Sequence, residues 1–239
     1  MFEPSFRLLA ITPPEGAINP ALAEQWACAS DLGVGVLLRQ PGASLRELLP
    51  MIREGRLRGV TERCTFERVP LLLSLGAADI DHLARIGGAE GLREHTGATI
   101  RGVQLRGDPK PEQVEALRRS LGPGWIGRSC HGAPRGAHER VHYTCVAPIF
   151  APSTVQAGVI KTAVGLGALR SWSAQPQARI FALGGVAPTT AEACLAAGAW
   201  GLAGIGLFFG DPTRVGEDVA SVVQIVDRHL RDVRPLPQR

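Results

Sequence analysis

Residues 179–206 read RIFALGGVAPTTAEACLAAGAWGLAGIG. An apolar run stops at the pair Gly184-Gly185. A segment with helical spacing follows over 189–198, opening on threonines suited to a cap and ending on Gly198. A second apolar run, 200–209, then carries Gly204 and Gly206. Neither apolar run alternates with polar residues. Such strands are buried on both faces, as parallel sheets require.

The same unit recurs outward from this stretch. Strands are predicted at 6–12, 33–39, 69–75, 101–107, 124–130, 142–149, 178–184 and 200–209. Helical patterns are predicted at 20–30, 44–60 (with Pro50 inside), 77–88, 110–122, 158–173, 189–198 and 212–233, and a brief polar segment follows the fifth strand. Eight such units in 239 residues predict an α/β chain folded as one closed (β/α)8 barrel. The barrel spans 1–234, with 235–239 a loose tail. The alternative is an open doubly wound sheet. Glycines inside several strands favour the barrel, whose crowded interior accepts them.

The composition, 45% hydrophobic and 20% charged, is that of a globular protein with a sizeable core. No apolar run is long enough to cross a bilayer, and MFEPSFRLLAITPPEG has no secretory pattern, so a cytoplasmic location is expected. The formal charge is +4, and all but Lys110 and Lys161 of the 26 basic residues are arginines. They are scattered and accompany no nucleic-acid-binding motif. A pocket for a small anion is expected instead, with neither nucleic acid nor membrane as partner; homo-oligomerisation stays open. Cys28, Cys64, Cys130, Cys145 and Cys194 include no C-x-x-C pair and read as buried free thiols.

In a barrel, chemistry belongs at the carboxyl ends of the strands, and phosphate often sits by the last two βα loops. Gly184-Gly185 and Gly204-Ile205-Gly206 fall there in sequence order. One reading is that their backbone N–H groups wall a phosphate pocket, helped by the start of a following short helix. The other is that glycine fits crowded barrel corners.

These closing units, ALGGV and AGAWGLAGIG, resemble those of the thiamine-phosphate synthase family, which includes the TenI-type thiazole tautomerases. GVGVLLRQ resembles the family's strand-two segment, GVQLRGD the segment after strand four, IGRSCH the strand-five motif, and VHYTCVAPIFAPST the strand-six loop. The matches run in family order over about residues 6–230. The resemblance implies a TIM barrel that binds thiazole phosphate and, in the synthases, joins it to a pyrimidine methyl diphosphate with release of diphosphate.

Carried over residue by residue, the resemblance makes Arg39, Ser129 and Thr154 substrate contacts, puts Gln104 where the family has histidine, and gives Asp108 to magnesium. The family's strand-two and strand-six lysines are Pro41 and Val155 here, its other loop threonine is Pro152, and its Asn-Asp after strand three is Ser74-Leu75. Expulsion of diphosphate needs cations and carboxylate-held Mg2+, and one surviving aspartate is a poor cradle. Arg106 supplies part of the missing charge. The tautomerases keep a histidine after strand five as an acid–base group, and His131 falls there. Moving a proton needs a group titrating near neutrality and no cofactor. The expectation is therefore a divergent TenI-like thiazole tautomerase. The alternatives are a synthase with an altered diphosphate site and a non-catalytic barrel that binds a phosphorylated heterocycle.

Three further features stand outside this reading. Cys130, His131, His138, His142 and Cys145 crowd together in sequence, and a zinc site is one reading of them. Arg128, alternating with Ser129, should face the helices, where a charge needs a partner. Asp79 and Asp81 either replace the absent Asn-Asp or open a solvated helix.

Overall fold

The computed structural model describes residues 4–13, 32–54, 69–132, 134, 141–151 and 162–233. Eight parallel strands close into a barrel in chain order. They are β1 Leu8–Ile11, β2 Val34–Leu38, β3 Leu71–Leu75, β4 Ile100–Leu105, β5 Trp125–Cys130, β6 Tyr143–Val146, β7 Ile180–Leu183 and β8 Gly201–Gly204. The helices are α1 Leu45–Arg53, α2 Ile80–Arg85, α3 Gly88–Thr96, α4 Pro111–Leu121, α5 Gly165–Ser173, α6 Pro188–Ala196, α7 Gly206–Phe209 and α8 Val215–Val233, with a 3-10 turn at Ala77–Asp79.

The period-2 alternation of each strand sorts its side chains into two clusters. Leu9, Ile11, Leu37, Leu72, Cys145, Phe181 and Ala203 fill the barrel interior. Leu8, Ala10, Val36, Leu38, Leu73, Val103, Ile126, Val146 and Leu202 pack outward against the helices. At the amino end of the strands the interior is closed by aromatic rings. Tyr143 and Phe181 meet edge to face at 5.4 Å, and Phe6 touches both. The strand glycines interlock with these rings: a Cβ on Gly127 would enter the Tyr143 ring, and one on Gly201 would strike Phe181.

Several boundaries depart from expectation. The predicted strand 200–209 ends at Gly204, and the chain turns at once into the short α7. The helix α3 was not foreseen, because Gly87, Gly88 and Gly91 are poor helix formers. Contact overrides propensity here: a Cβ on Gly91 would collide with the Ile86 carbonyl, so only glycine lets the segment lie this close. The helix α6 begins at Pro188, capped by Ala187 rather than by a threonine. Thr190 Oγ1 instead accepts from the Ala187 amide (2.9 Å) and contacts the Gly185 carbonyl (3.0 Å). The helix predicted from 158 is helical only from Gly165 among the described residues. The helix predicted at 20–30, the continuation of the second one through 55–60, and the tail at 235–239 lie outside the described residues.

Candidate functional site

The interior register carries a polar set to the carboxyl end of the barrel. Arg39 leaves β2, Ser74 lies in β3, Gln104 lies in β4 with Arg106 just past its end, and Ser129 lies in β5 with His131 just past its end. Thr154 lies outside the described residues, as do Pro152, Val155 and His138.

His131 and Asp108 form the best-defined pair. Leu105 pairs with Arg128 across β4 and β5, so three residues further on Asp108 and His131 stand abreast. Asp108 adopts a positive φ of 52° after Gly107, turning its carboxylate toward β5. One oxygen accepts from the His131 backbone amide at 2.6 Å, and the other lies 2.8 Å from His131 Nδ1. A carboxylate facing Nδ1 makes Nδ1 the protonated nitrogen and leaves Nε2 with a lone pair. Both side chains are partly exposed at the mouth, His131 at 39% and Asp108 at 51%. The arrangement can accept and return a proton through Nε2 while Asp108 fixes the ring.

Arg39 is held from behind: Thr12 Oγ1 accepts from its amide at 2.9 Å and contacts its carbonyl. Among the described residues none takes a bond from its guanidinium. Burial lowers its pKa, and repulsion from Arg106 lowers it further. An anion in the mouth would relieve both effects. Arg106 is more committed, donating to the carbonyls of Ser74 (3.0 Å) and Ala43 (3.0 Å). It braces the loop after β2 as well as adding charge. Gln104, 2% exposed, donates to Ser129 Oγ at 2.7 Å. The Cys145 thiol contacts Gln104 Oε1 at 3.6 Å, so these three groups satisfy one another in the barrel interior beneath the mouth.

Two carboxylates near the strand carboxyl ends, Asp108 and Asp79, already accept from protein donors. Both oxygens of Asp108 face His131. Asp79 is buried, with one oxygen on the Leu45 amide (2.8 Å) and the other on the Gly76 amide (3.1 Å), so it ties α1 to the end of β3 rather than opening a solvated helix. Asp81 is the solvated one. Among the described residues no group of three or more His, Cys, Asp or Glu side chains gathers around Asp108, the residue to which the synthase resemblance gives the metal. The cysteine–histidine cluster also disperses. Cys130 packs outward and Cys145 inward, while His142 sits buried at the start of β6, its Nδ1 accepting from the Ile126 amide at 2.9 Å. No metal-binding group of His, Cys, Asp and Glu forms among the described residues. Burial pushes the Cys130 thiol up to about 11 and the Cys194 thiol to about 12, and raises that of Cys145 as well. All three are inert free thiols, while Cys28 and Cys64 lie outside the described residues.

The glycines divide between the two readings offered for them. Gly184 and Gly185 have φ of 92° and 64°, where side chains are strained. Added Cβ atoms would also lie 2.6 Å from Pro148 and 2.6 Å from Phe150. Glycine is thus required by the fit of the β6 loop against β7. Their amides, with those of Ile205 and Gly206, are donated to no other described residue. Gly204 stands apart on the outward register, against Leu207.

The closed parallel barrel with its polar side chains at the strand carboxyl ends defines the class: a single-domain (β/α)8 barrel of the enzyme-bearing architecture. Residues 93–208 match the family model for thiamine monophosphate synthase (TMP-TENI). The chain superposes on thiamine phosphate pyrophosphorylase from Pyrococcus furiosus with a TM-score of 0.64, at 18% identity over 95% of this chain and 98% of that one. The enzyme of the same name from Bacteroides thetaiotaomicron gives 0.52, at 18% identity over 93% and 98%. N-(5'-phosphoribosyl)anthranilate isomerase from Pyrococcus furiosus gives 0.55, at 12% identity over 93% and 99%. At such identities the structural likeness speaks for the fold alone. No curated protein matches the chain by sequence. The family-model match is what links this chain to the thiamine-phosphate synthase/TenI family, and the superpositions add the shared barrel fold. The matched segment holds Asp108, His131 and both glycine stretches, and leaves out Arg39. Among the described residues no helix is long and apolar enough to cross a membrane.

Sequence reasoning treated Asp108 and His131 separately. The register of β4 and β5 joins them, and only a strand pairing carries that signal. Thr12 was missed as well; a hydroxyl closing an otherwise apolar first strand is the trace it leaves in the sequence.

Proposed function

We propose that this chain is a divergent TenI-like barrel that binds a phosphorylated thiazole and relocates a proton on it through His131. The observation that carries this reading is the two-point contact of Asp108 with His131, which orients Nε2 at the barrel mouth. The phosphate would meet the amides of Gly184, Gly185, Ile205 and Gly206, which are donated to no other described residue, and Arg39 would add a fixed positive charge. Nε2 accepts a proton from one ring position of the heterocycle and returns it at another. Asp108 balances the imidazolium that forms in between. This chemistry asks for neither metal nor cofactor. The synthase reading is consistent with the same family, and the guanidinium of Arg39, which no described residue engages, favours keeping it as the second reading.

One assay separates them. The protein is given the thiazole phosphate tautomer in a chelator, and separately thiazole phosphate with pyrimidine methyl diphosphate and Mg2+. We expect tautomer turnover in the first mixture, lost in His131→Ala while thermal stabilisation by thiazole phosphate persists. Thiamine phosphate in the second mixture would establish the synthase instead. Stabilisation with no turnover in either would mark a binding barrel.

A further inference from the structure

Behind the Asp108–His131 pair lies a second layer that the proposed chemistry does not touch. Arg128 is only 4% exposed and points away from the axis, between β5 and the helices. Its Nε donates to Thr144 Oγ1 of the neighbouring strand at 3.2 Å. Its guanidinium lies 5.0 Å from the centre of the Trp172 ring. Burial lowers its pKa, opposed by the negative potential of Cys130 and Asp108. Trp172, on α5 and also buried, donates its indole N–H to the Gly132 carbonyl at 2.8 Å. Gly132 follows His131 directly and has a φ of 77°. The Ala147 amide donates to the Cys130 carbonyl at 3.0 Å on the other side. His131 therefore sits on a turn anchored at both neighbours, once by β6 and once by an indole.

We propose that Trp172, backed by Arg128, is a positioning residue for His131. The indole N–H fixes the Gly132 carbonyl, which fixes the turn. Only in that turn do the His131 amide and ring reach the two oxygens of Asp108 together. Arg128 holds the indole plane by stacking on it. The importance of this for turnover rests on the reading of His131 as the proton-transfer group. The geometric claim does not.

The test is Trp172→Phe in the full chain, which keeps a ring for Arg128 and removes the donor. Hydrogen exchange reports the geometry. The His131 amide should exchange roughly tenfold faster, with the amides of β5 unchanged. Unchanged protection at His131 overturns the proposal. Turnover of the thiazole tautomer reports the consequence. We expect kcat to fall about tenfold with KM little altered, and no further loss when Trp172→Phe is added to His131→Ala. Losses that multiply in the double variant overturn the positioning role. If His131→Ala alone leaves turnover intact, the proton-transfer reading fails, and the exchange measurement still decides the brace. Should Trp172→Phe not fold, Arg128→Met removes the stacked cation at similar volume, and the same acceleration at the His131 amide is expected. Its absence there counts against the proposal equally.

Discussion

At the amino end of the strands the barrel axis is filled by Phe6, Trp125, Tyr143, Phe181 and Trp200, interlocked with glycines of the neighbouring strands. At the carboxyl end the same axis carries Arg39, Ser74, Gln104, Arg106, Ser129 and His131. The eight strands that supply both sets are only four to six residues long. A single register therefore sends apolar bulk to one end and hydrogen-bonding groups to the other. The division separates stability from chemistry: large rings at the closed end set how firmly the barrel holds, and groups at the open end can change without disturbing it. Losses of stability should therefore come from the floor and losses of function from the mouth.

The largest effect on folding should come from the floor. Phe181 is fully buried and touches Phe6, Tyr143 and Trp200. Phe181→Ala should cost about 3–5 kcal/mol of stability, seen as a lower denaturant midpoint. Ligand affinity of the folded fraction should stay within a few-fold. A variant that kept its midpoint but lost binding would break the division between the two ends.

His131→Ala should do the reverse. General acid–base catalysis is worth about 10²–10⁴ in rate, so proton transfer should fall by that factor. The melting temperature should move little, because the side chain is exposed and its removal strands only an exposed carboxylate. A collapse in stability would mean that the Asp108–His131 pair holds the loops together rather than serving the mouth. Arg39→Met should weaken binding of a phosphorylated ligand by about tenfold to a hundredfold, the value of one charge-assisted contact. Relief of repulsion with Arg106 should leave the empty protein slightly more stable. Equal affinity, measured by calorimetry at fixed ionic strength, would remove Arg39 from the site.

The barrel was legible in the sequence because unbroken apolar runs and strand glycines both follow from a crowded, two-sided burial. Gly127 and Gly201 illustrate this: each faces an aromatic ring from the next strand around the barrel or from its own neighbour. The direction of Arg128 was legible by alternation from Ser129, although its partners Thr144 and Trp172 come from other elements and no local pattern names them. His131 was singled out, but its bond to Asp108 depends on the relative stagger of β4 and β5, which pattern alone does not fix. The α3 helix was missed because its glycines serve contacts rather than propensity. Gly204-Ile205-Gly206 was read as one strand because apolar spacing does not distinguish a strand end from a four-residue helix.

His142 offers the finest test of the two-ended division, since it is titratable but lies at the closed end. It is buried beside β5, and burial together with repulsion from Arg118 lowers its pKa from 6.5 to about 4. The folded chain therefore holds it neutral where the unfolded chain would take up a proton. Its contribution to stability is complete above about pH 6.5 and is lost progressively as the pH falls toward 4. The limit for one proton is about 1.4 kcal/mol per pH unit. In His142→Gln, a side-chain oxygen still accepts from the Ile126 amide and cannot be protonated in that window, so the variant should lose less stability on acidification. Denaturant midpoints of the two proteins should converge as the pH drops from about 6.5 to 4, and turnover per folded molecule should be the same in both. Parallel midpoint curves would show that His142 is not held neutral. A change in the pH profile of turnover would show that the closed end reaches the chemistry after all.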